Sequence, residues 1–383
     1  MAQDTVWGYL TSDLVPGKST DLSQVMGQFR SGATPLLSIV SPNLNNLTRP
    51  VLQPAHTYYD VQTRVKRTTL SATIDNSQTT LVLIDEAVKG GEFIQIDKEI
   101  ILCTTSSDAL TWSVVSRAQK GTSGAAHTAG AVVRLLDIPA VQGSADGTGD
   151  ATLLPNEITT YTGIVRQDIS VPGTVDATRT NWHDGSEYAR QYAEKMEAAK
   201  HILENWLISP FAAVAPVAQT TAGQPEGLAH RLSSQITDLA STNNGDLSIP
   251  ILESAVQTEI DRGGEESHLL AAVLNIHQAQ IFNKLGLSWL STDQAGALTY
   301  SQNTRVANLG GVNIALVPAS KMGSQGLLVN TQFVKVGPLT GRAFFHGYAG
   351  SDGDRTKGRV LGEYTFEIHC PWAHRLWTSM ANA

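Results

Sequence analysis

The sequence predicts an α+β fold carrying an inserted all-β domain, and three observations support it. Between residues 68 and 136 the chain changes abruptly into short runs of strand-forming residues separated by turns. A long helical pattern begins near Asp184, and beyond residue 225 helical and strand patterns alternate. The 383 residues allow two or three domains, at about 150 residues each.

Residues 1–50 lack a sustained apolar period. They carry turn signals at Pro16-Gly17, Gly32 and Ser41-Pro42-Asn43, and a short helical segment at Leu22–Phe29. Such a stretch cannot bury a core of its own, so it is expected to be an extended arm. The apolar PLLSIV (Pro35–Val40) would be wasted on a solvated tail, so the arm is expected to lie on something else. Residues 46–67 and 137–175 are expected to form a long loop, rich in Gly and Thr, with turns at Gly143–Gly149 and extended pieces from Ile158 to Ile169.

Within that loop the β domain reads as TLSATI, TTLVLI, EFIQID, EIILCT, LTWSVVS and AVVRLL, with a turn at Lys98. Gly121, Gly124 and Gly130 mark tight bends in the following SRAQKGTSGAAHTAGAVV. Asp184 with Glu187 three residues on suggests a capped helix start. The stripe Tyr188, Tyr192, Met196, Ala199, Leu203 and Trp206 lies on one helical face, opposite Glu194, Lys195, Glu197 and Lys200. The helix should reach Leu207, a rod of roughly 35 Å.

Residues 225–335 read as mixed α/β. Pro250–Arg262 is a helix ending at Gly263-Gly264, LLAAVLN a buried strand, and Ile276–Leu285 a helix after Asn275. TRVANL and VNIALVP flank Gly310-Gly311 as a hairpin, and GLLVN is a further strand. Strands close the chain at Arg342–Tyr348 and Val360–His369, the second alternating Leu361, Tyr364 and Phe366 against Glu363, Thr365 and Glu367.

The composition is 41% hydrophobic and only 16% charged, which suits faces that end up against other subunits. The net charge is −8, and no basic cluster exceeds Arg64, Lys66 and Arg67, so sequence-reading DNA binding is not expected. Cys103 and Cys370 sit in distant segments and read as two buried free thiols. MAQDTVWGYL has no basic region followed by an apolar one, so no signal peptide is expected. Without a run of about 18 apolar residues, no membrane helix is expected either, and the chain should fold in a cytoplasm.

Candidate chemistry yields no catalytic, cofactor or metal residue. The nucleophile elbow, the phosphate loop, the dinucleotide glycine pattern and H-E-x-x-H are absent. His369, Cys370 and His374 offer zinc-type ligands, but adjacent strand residues face opposite sides. Asp352, Asp354 and Glu363 have calcium-loop spacing, yet Thr356 and Lys357 occupy the positions needing an acidic residue and a glycine. Asp146, Asp150 and Glu157 fare no better. His183 beside Asp184 lacks a nucleophile partner, and Trp182, Trp206, Trp289, Trp372 and Trp377 read as core or interface residues.

The order of parts resembles the major capsid proteins of tailed bacteriophages with the Hong Kong 97-like fold. QDISVPGTVDAT (167–178) resembles the family's approach to its spine helix. TRVANLGGVNIALVP (304–318) resembles its axial hairpin, and GRAFFHGYAGSDGDRTKGRVLGEYTFEIHCPWAH (341–374) its closing strands. Arg117-x-x-x-Gly121-Thr122 followed by Ala126-His127-x-x-Gly130 is similar to a β-domain signature of phage virion proteins, with Ala118 where Gly is common. The resemblance implies an N-terminal arm (1–45), an extended loop (46–67 and 137–175), an inserted β domain (68–136), a peripheral domain (176–219 and 336–383) and an axial domain (220–335). It also implies a non-enzymatic virion protein without cofactor. Copies of the chain would assemble in the host cytoplasm into hexamers and pentamers of an icosahedral or prolate shell. Portal, scaffold and decoration proteins are implied as partners, and double-stranded DNA is enclosed without sequence-specific contact. Two alternatives stand beside it: a tail-tube or decoration protein, which the β domain would suit, and a secreted polysaccharide-active β protein.

Overall fold

The computed structural model describes residues 34–382 except 62–66, 85–87, 89, 109, 137–154, 178–185, 219, 262–268, 288–304 and 310–311. It is a mixed α/β protein whose chain divides into two compact units. Val165–His201 and Phe344–Gly362 belong to the smaller; Thr34–Ile164, Ile202–Ala343 and Glu363–Ala383 form the larger.

The larger unit begins with the short helix α1 (Pro35–Val40) and strand β1 (Ala55–Asp60). Six strands follow: β2 (Arg67–Thr69), β3 (Leu81–Val82), β4 (Glu92–Ile96), β5 (Glu99–Ser106), β6 (Thr111–Ser116) and β7 (Val132–Leu136). They pair antiparallel in the order β2-β7-β4-β5-β6-β3. The two outer strands also meet. Leu70 bridges Leu83, Ser71 N donates to Val82 O at 2.9 Å, and Ile84 N donates to Thr69 O at 3.1 Å. The sheet thus closes into a small barrel with no open edge. Leu70, Leu81, Ile94, Ile101, Trp112 and Val133 fill its interior. The β4–β5 hairpin turns at Asp97-Lys98, with Asp97 taking the positive φ of 51°.

Strand β8 (Asn156–Tyr161) returns antiparallel to β1 and makes a two-stranded ribbon. Next come β9 (Gly163–Pro172), the one-turn helix α2 (Gly173–Ala177) and the long helix α3 (Glu187–Ile208). Asp184 lies outside the described residues, and the helix start rests on Ser186 instead. Its hydroxyl accepts from the Ala189 amide at 3.4 Å, while Asp176 accepts from the Ser186 hydroxyl (2.8 Å) and the Tyr188 amide (3.4 Å). Along the expected apolar stripe, Ala199 and Leu203 are buried together with Leu207 one turn on; Tyr188, Tyr192, Met196 and Trp206 are half-buried.

The remaining elements of the larger unit are α4 (Leu228–Arg231), β10 (Ile236–Asp238), α5 (Ala240–Asn243), α6 (Ile249–Asp261), β11 (Leu269–Leu274), α7 (Ile276–Leu287), β12 (Arg305–Leu309), β13 (Val312–Pro318), β14 (Gly326–Asn330) and β15 (Val334–Pro338). Then β16 (Phe345–Asp352) and β17 (Arg355–Ile368) form a hairpin turning at Gly353, and β18 (Arg375–Thr378) closes the chain. A mixed sheet runs β10-β18-β14-β11-β13-β12. Leu270 to Leu274 is buried on both faces, as a central strand with a parallel neighbour requires. Leu252 and Val256 of α6 and Trp377 of β18 share its core. Asn275 caps α7 by accepting from the Gln278 amide at 2.8 Å.

Helix α1 corrects one expectation. PLLSIV is neither extended nor left for another subunit, because Leu36, Leu37 and Val40 are buried within their own unit, near β13 and β15. The segment Leu22–Phe29 lies outside the described residues.

In the smaller unit β17 pairs with both β16 and β9. Tyr188 and Tyr192 of α3 meet the His346 ring edge-on, with centroids 5.6 and 5.3 Å away, and the Tyr188 hydroxyl is hydrogen-bonded to His346 Nε2. Gly358 makes this approach possible, since a Cβ there would overlap the Tyr188 hydroxyl.

Candidate functional site

Three buried polar clusters, rather than a cleft, hold the residues that chemistry would single out. The first lies along the end of β17. Glu363, Thr365 and Glu367, the polar members of its alternation, are all three buried. The β1–β8 ribbon covers them. Thr162 Oγ1 donates to Glu363 at 2.6 Å, Thr365 Oγ1 donates to the Tyr161 carbonyl at 3.2 Å, and His56 Nε2 is 2.7 Å from Glu367. On the open side Arg342 reaches Glu363 at 2.7 Å. A row of polar side chains became a docking rail because another part of the chain supplied its partners.

The row ends on His369. Its Nδ1 lies 3.0 Å from Asp60 and its Nε2 3.1 Å from Glu367, so both ring nitrogens face carboxylates that can only accept. Burial opposes the charge, but the hydrogen bonds to Asp60 and Glu367 outweigh it and raise His369 to about 9. Burial likewise opposes ionisation of Glu367, yet His369 and His56 bring its carboxyl down to about 2. Asp60 also accepts from the Cys370 amide (3.0 Å) and meets Arg231 at 3.4 Å. The Tyr58 hydroxyl donates to the Ile368 carbonyl at 3.2 Å.

The candidate zinc ligands are therefore committed elsewhere. His374, fully buried, accepts from the Asn330 amide at Nδ1 (3.0 Å) and donates from Nε2 to the His369 carbonyl (3.1 Å). Burial pushes it down to about 4, despite that carbonyl. Burial, with Asp60 nearby, pushes the half-buried Cys370 thiol up to about 12. Cys103 sits in the barrel core, where burial and Glu92 also raise it to about 12. Neither thiol has the low pKa of a reactive cysteine.

The second cluster anchors α1. Glu204 of α3, with no exposed surface, accepts from the Leu36 amide at 3.0 Å and from Lys321 Nζ at 2.8 Å. In the residue pattern its only mark is an acidic side chain beside Leu203.

The third explains the barrel signature. Arg117 donates to both oxygens of buried Glu99 at 2.7 and 2.6 Å. Its guanidinium also donates to the carbonyls of Asp75 (2.7 Å), Gln78 (3.2 Å) and Ala125 (2.6 Å). Glu99 accepts further from the Ala118 and Ala125 amides, and His127 bridges Glu99 and Asp97 at 2.9 Å each. Burial opposes the charge on Glu99, but Arg117, the Ala125 amide, His127 and the Ala118 amide together lower it to about 2. The departure at Ala118 now has a physical meaning. That residue takes φ 54° and ψ 43°, a left-handed conformation that favours glycine.

The other singled-out residues are dispersed. The Asp354 carbonyl accepts from the Gly173 amide (2.6 Å), and its carboxylate accepts from Thr174 Oγ1 (3.2 Å). Asp352 pairs with Arg355 across the β16–β17 turn, and Glu157 is exposed on β8. Trp377 is core, while Trp206 packs beside Gly163. Asp146, Asp150, Trp182, His183 and Trp289 lie outside the described residues. Among the described residues no helix is long and apolar enough to cross a membrane. Chemically these clusters fasten rather than react: carboxylates held near 2 are too weakly basic to take a proton at neutral pH.

A family model described as the SU10 major capsid protein matches residues 8–381. No curated protein matches the chain. Among solved structures, the capsid of a native GTA particle is similar at 10% identity and TM-score 0.49, covering 96% of each chain. The cyanophage Pam1 capsid is similar at 9% identity and TM-score 0.43, covering 64% of this chain and 83% of that one. The SrpI encapsulin complex of Synechococcus elongatus is similar at 13% identity and TM-score 0.42, covering 60% and 79%.

Proposed function

From the premise that this chain belongs to the SU10 major capsid protein family, a capsid protein that forms the virion shell, we propose that it builds that shell as hexamers and pentamers with a Hong Kong 97-like subunit. The observation that carries this reading is the family match across residues 8–381, which leaves almost no part of the chain outside the shell protein. The shell is icosahedral or prolate and encloses double-stranded DNA without reading its sequence, in keeping with a chain of net charge −8. Assembly takes place in the host cytoplasm, with portal, scaffold and decoration proteins as its partners. The subunit does no catalysis.

The proposed division is an arm (1–45), an extended loop (46–67 and 137–175), an inserted β domain (68–136), a peripheral domain (176–219 and 336–383) and an axial domain (220–335). Supporting it are the closed barrel with its own core, the 22-residue helix α3 and the six-stranded sheet of the larger unit. Two elements depart from it: α1 is buried near β13 and β15, and β18 pairs with β10 and β14 inside that sheet. Light scattering and negative-stain microscopy of the full chain, with any scaffold co-expressed, should find rings or closed particles. A strictly monomeric protein at high concentration overturns the proposal. Replacing residues 68–136 by a short linker should leave assembly intact, because the barrel's core is its own; loss of the α3 helical signal refutes that autonomy.

A further inference from the structure

The β1–β8 ribbon is attached to the rest of its unit in an unusual way. Its docked face offers Tyr58 and Ile158 as buried apolar side chains, and the remaining contacts are polar. Beside the hydrogen bonds of Tyr58 with Ile368, Thr162 with Glu363 and the Tyr161 carbonyl with Thr365, one connected line of these contacts passes through an imidazole. Starting from the ribbon, His56 meets Glu367, Glu367 meets His369, His369 meets Asp60, and Asp60 meets Arg231 of α4. Acceptors and donors alternate along this line, and His369 occupies its middle. Both its nitrogens must donate, so the ring is an imidazolium when the ribbon is seated.

We propose that the β1–β8 ribbon is latched to the chain's last strands by the protonated His369, and that removing this one proton frees the ribbon while the β15–β17 pairing stays folded. The inference goes beyond shell building, since it names a conformational device within one subunit. A neutral imidazole has a single N–H. One of the two carboxylates would then face a bare nitrogen lone pair, and Asp60 and Glu367 would lose the cation between them. Nothing equivalent threatens the other face of β17, where Tyr364, Phe366 and Ile368 are buried apolar groups and β15 pairs through backbone hydrogen bonds.

Every charged group facing the latch bears on its titration. Asp60, His56 and Tyr58 approach from β1, and Glu367, Cys370 and His374 from the tail. Arg231 lies on Asp60, and Glu226 acts on Tyr58 while holding His230 at 2.8 Å. The two carboxylates in direct contact favour the cation. His374, the other imidazole acting on the site, stays neutral in its buried place and adds no repulsion near neutral pH. The sign follows: His369 is raised from 6.5 to about 9, so its contribution is complete below 6.5 and is lost as pH rises through about 9.

The test is hydrogen exchange with mass-spectrometric readout on the full chain between pH 6.5 and 10.5, corrected for intrinsic rates. Peptides covering 55–60 and 156–161 report the ribbon, and those covering 334–338 and 364–367 the anchor. The expected result is ribbon opening that rises about tenfold per pH unit above its midpoint, with the anchor unchanged. His369→Gln should expose the ribbon already at pH 6.5 and abolish the pH dependence. Asp60→Asn leaves His369 able to titrate but removes one carboxylate, so the midpoint should move to lower pH. This variant decides the matter if His369→Gln fails to fold. The proposal is overturned if ribbon and anchor lose protection together in the unaltered chain, or if Asp60→Asn leaves the midpoint in place.

Discussion

Replacing Arg117 by Ala should unfold the barrel and leave the six-stranded sheet intact. The side chain donates two hydrogen bonds to Glu99 and three to backbone carbonyls, all between 2.6 and 3.2 Å. Glu99 is 1% exposed, so its removal partner leaves a buried carboxylate behind. Breaking such a pair costs about 3–5 kcal/mol. A domain of this length holds roughly 4–10 kcal/mol in all, so the loss takes from about a third to all of it. Hydrogen exchange on the full chain measures the effect locally. Protection in β4, β5 and β6 should fall at least ~100-fold, with β11 and β13 unchanged. Arg117→Lys, which keeps the charge but not the forked donors, should fall between the two. A decrease below about 1 kcal/mol in the Ala variant would refute the reasoning, since Glu99 would then be satisfied by its amides and His127 alone.

Three further outcomes are expected. Leu203→Ala, at a fully buried position on α3, should cost about 2–5 kcal/mol through lost burial and the cavity left behind, while Lys195→Ala should change stability by less than about 0.5 kcal/mol; thermal melts of both variants check the contrast, and equal losses refute the one-sided helix. Ala118→Gly should stabilise the barrel by about 0.5–1 kcal/mol, read as a higher urea midpoint, because it relieves the left-handed backbone at φ 54°; a lower midpoint contradicts the strain. Acid should weaken the larger unit before its carboxylates protonate. His374 is lowered from 6.5 to about 4, so the stability from keeping it neutral is complete above 6.5 and is lost as pH falls toward 4. His374→Gln should flatten that limb of the stability–pH curve, and an unchanged limb assigns the acid sensitivity elsewhere.

Much of this protein was legible from side-chain type and spacing alone. The strand runs EFIQID, EIILCT, LTWSVVS and AVVRLL were, because β-branched and apolar residues interrupted by turns constrain a short chain locally, whereas TLSATI and TTLVLI are strand only at Thr69 and at Leu81–Val82. So was the stripe that places Ala199 and Leu203 on one side of α3, and Asn275 as the cap of α7. Tertiary structure decided the rest. Burial of the polar Glu363, Thr365 and Glu367 in β17 depends on a ribbon some 200 to 300 residues away in sequence, as the separations of 201, 204 and 311 show. PLLSIV was correctly read as needing cover, but where that cover lay depended on β13, β15 and Glu204. His369, Asp60 and Arg231 carry no shared motif, and only folding brings them together. Local preference is written in the residues themselves, whereas the partner that satisfies a buried charge is set by which distant segments the fold places beside it.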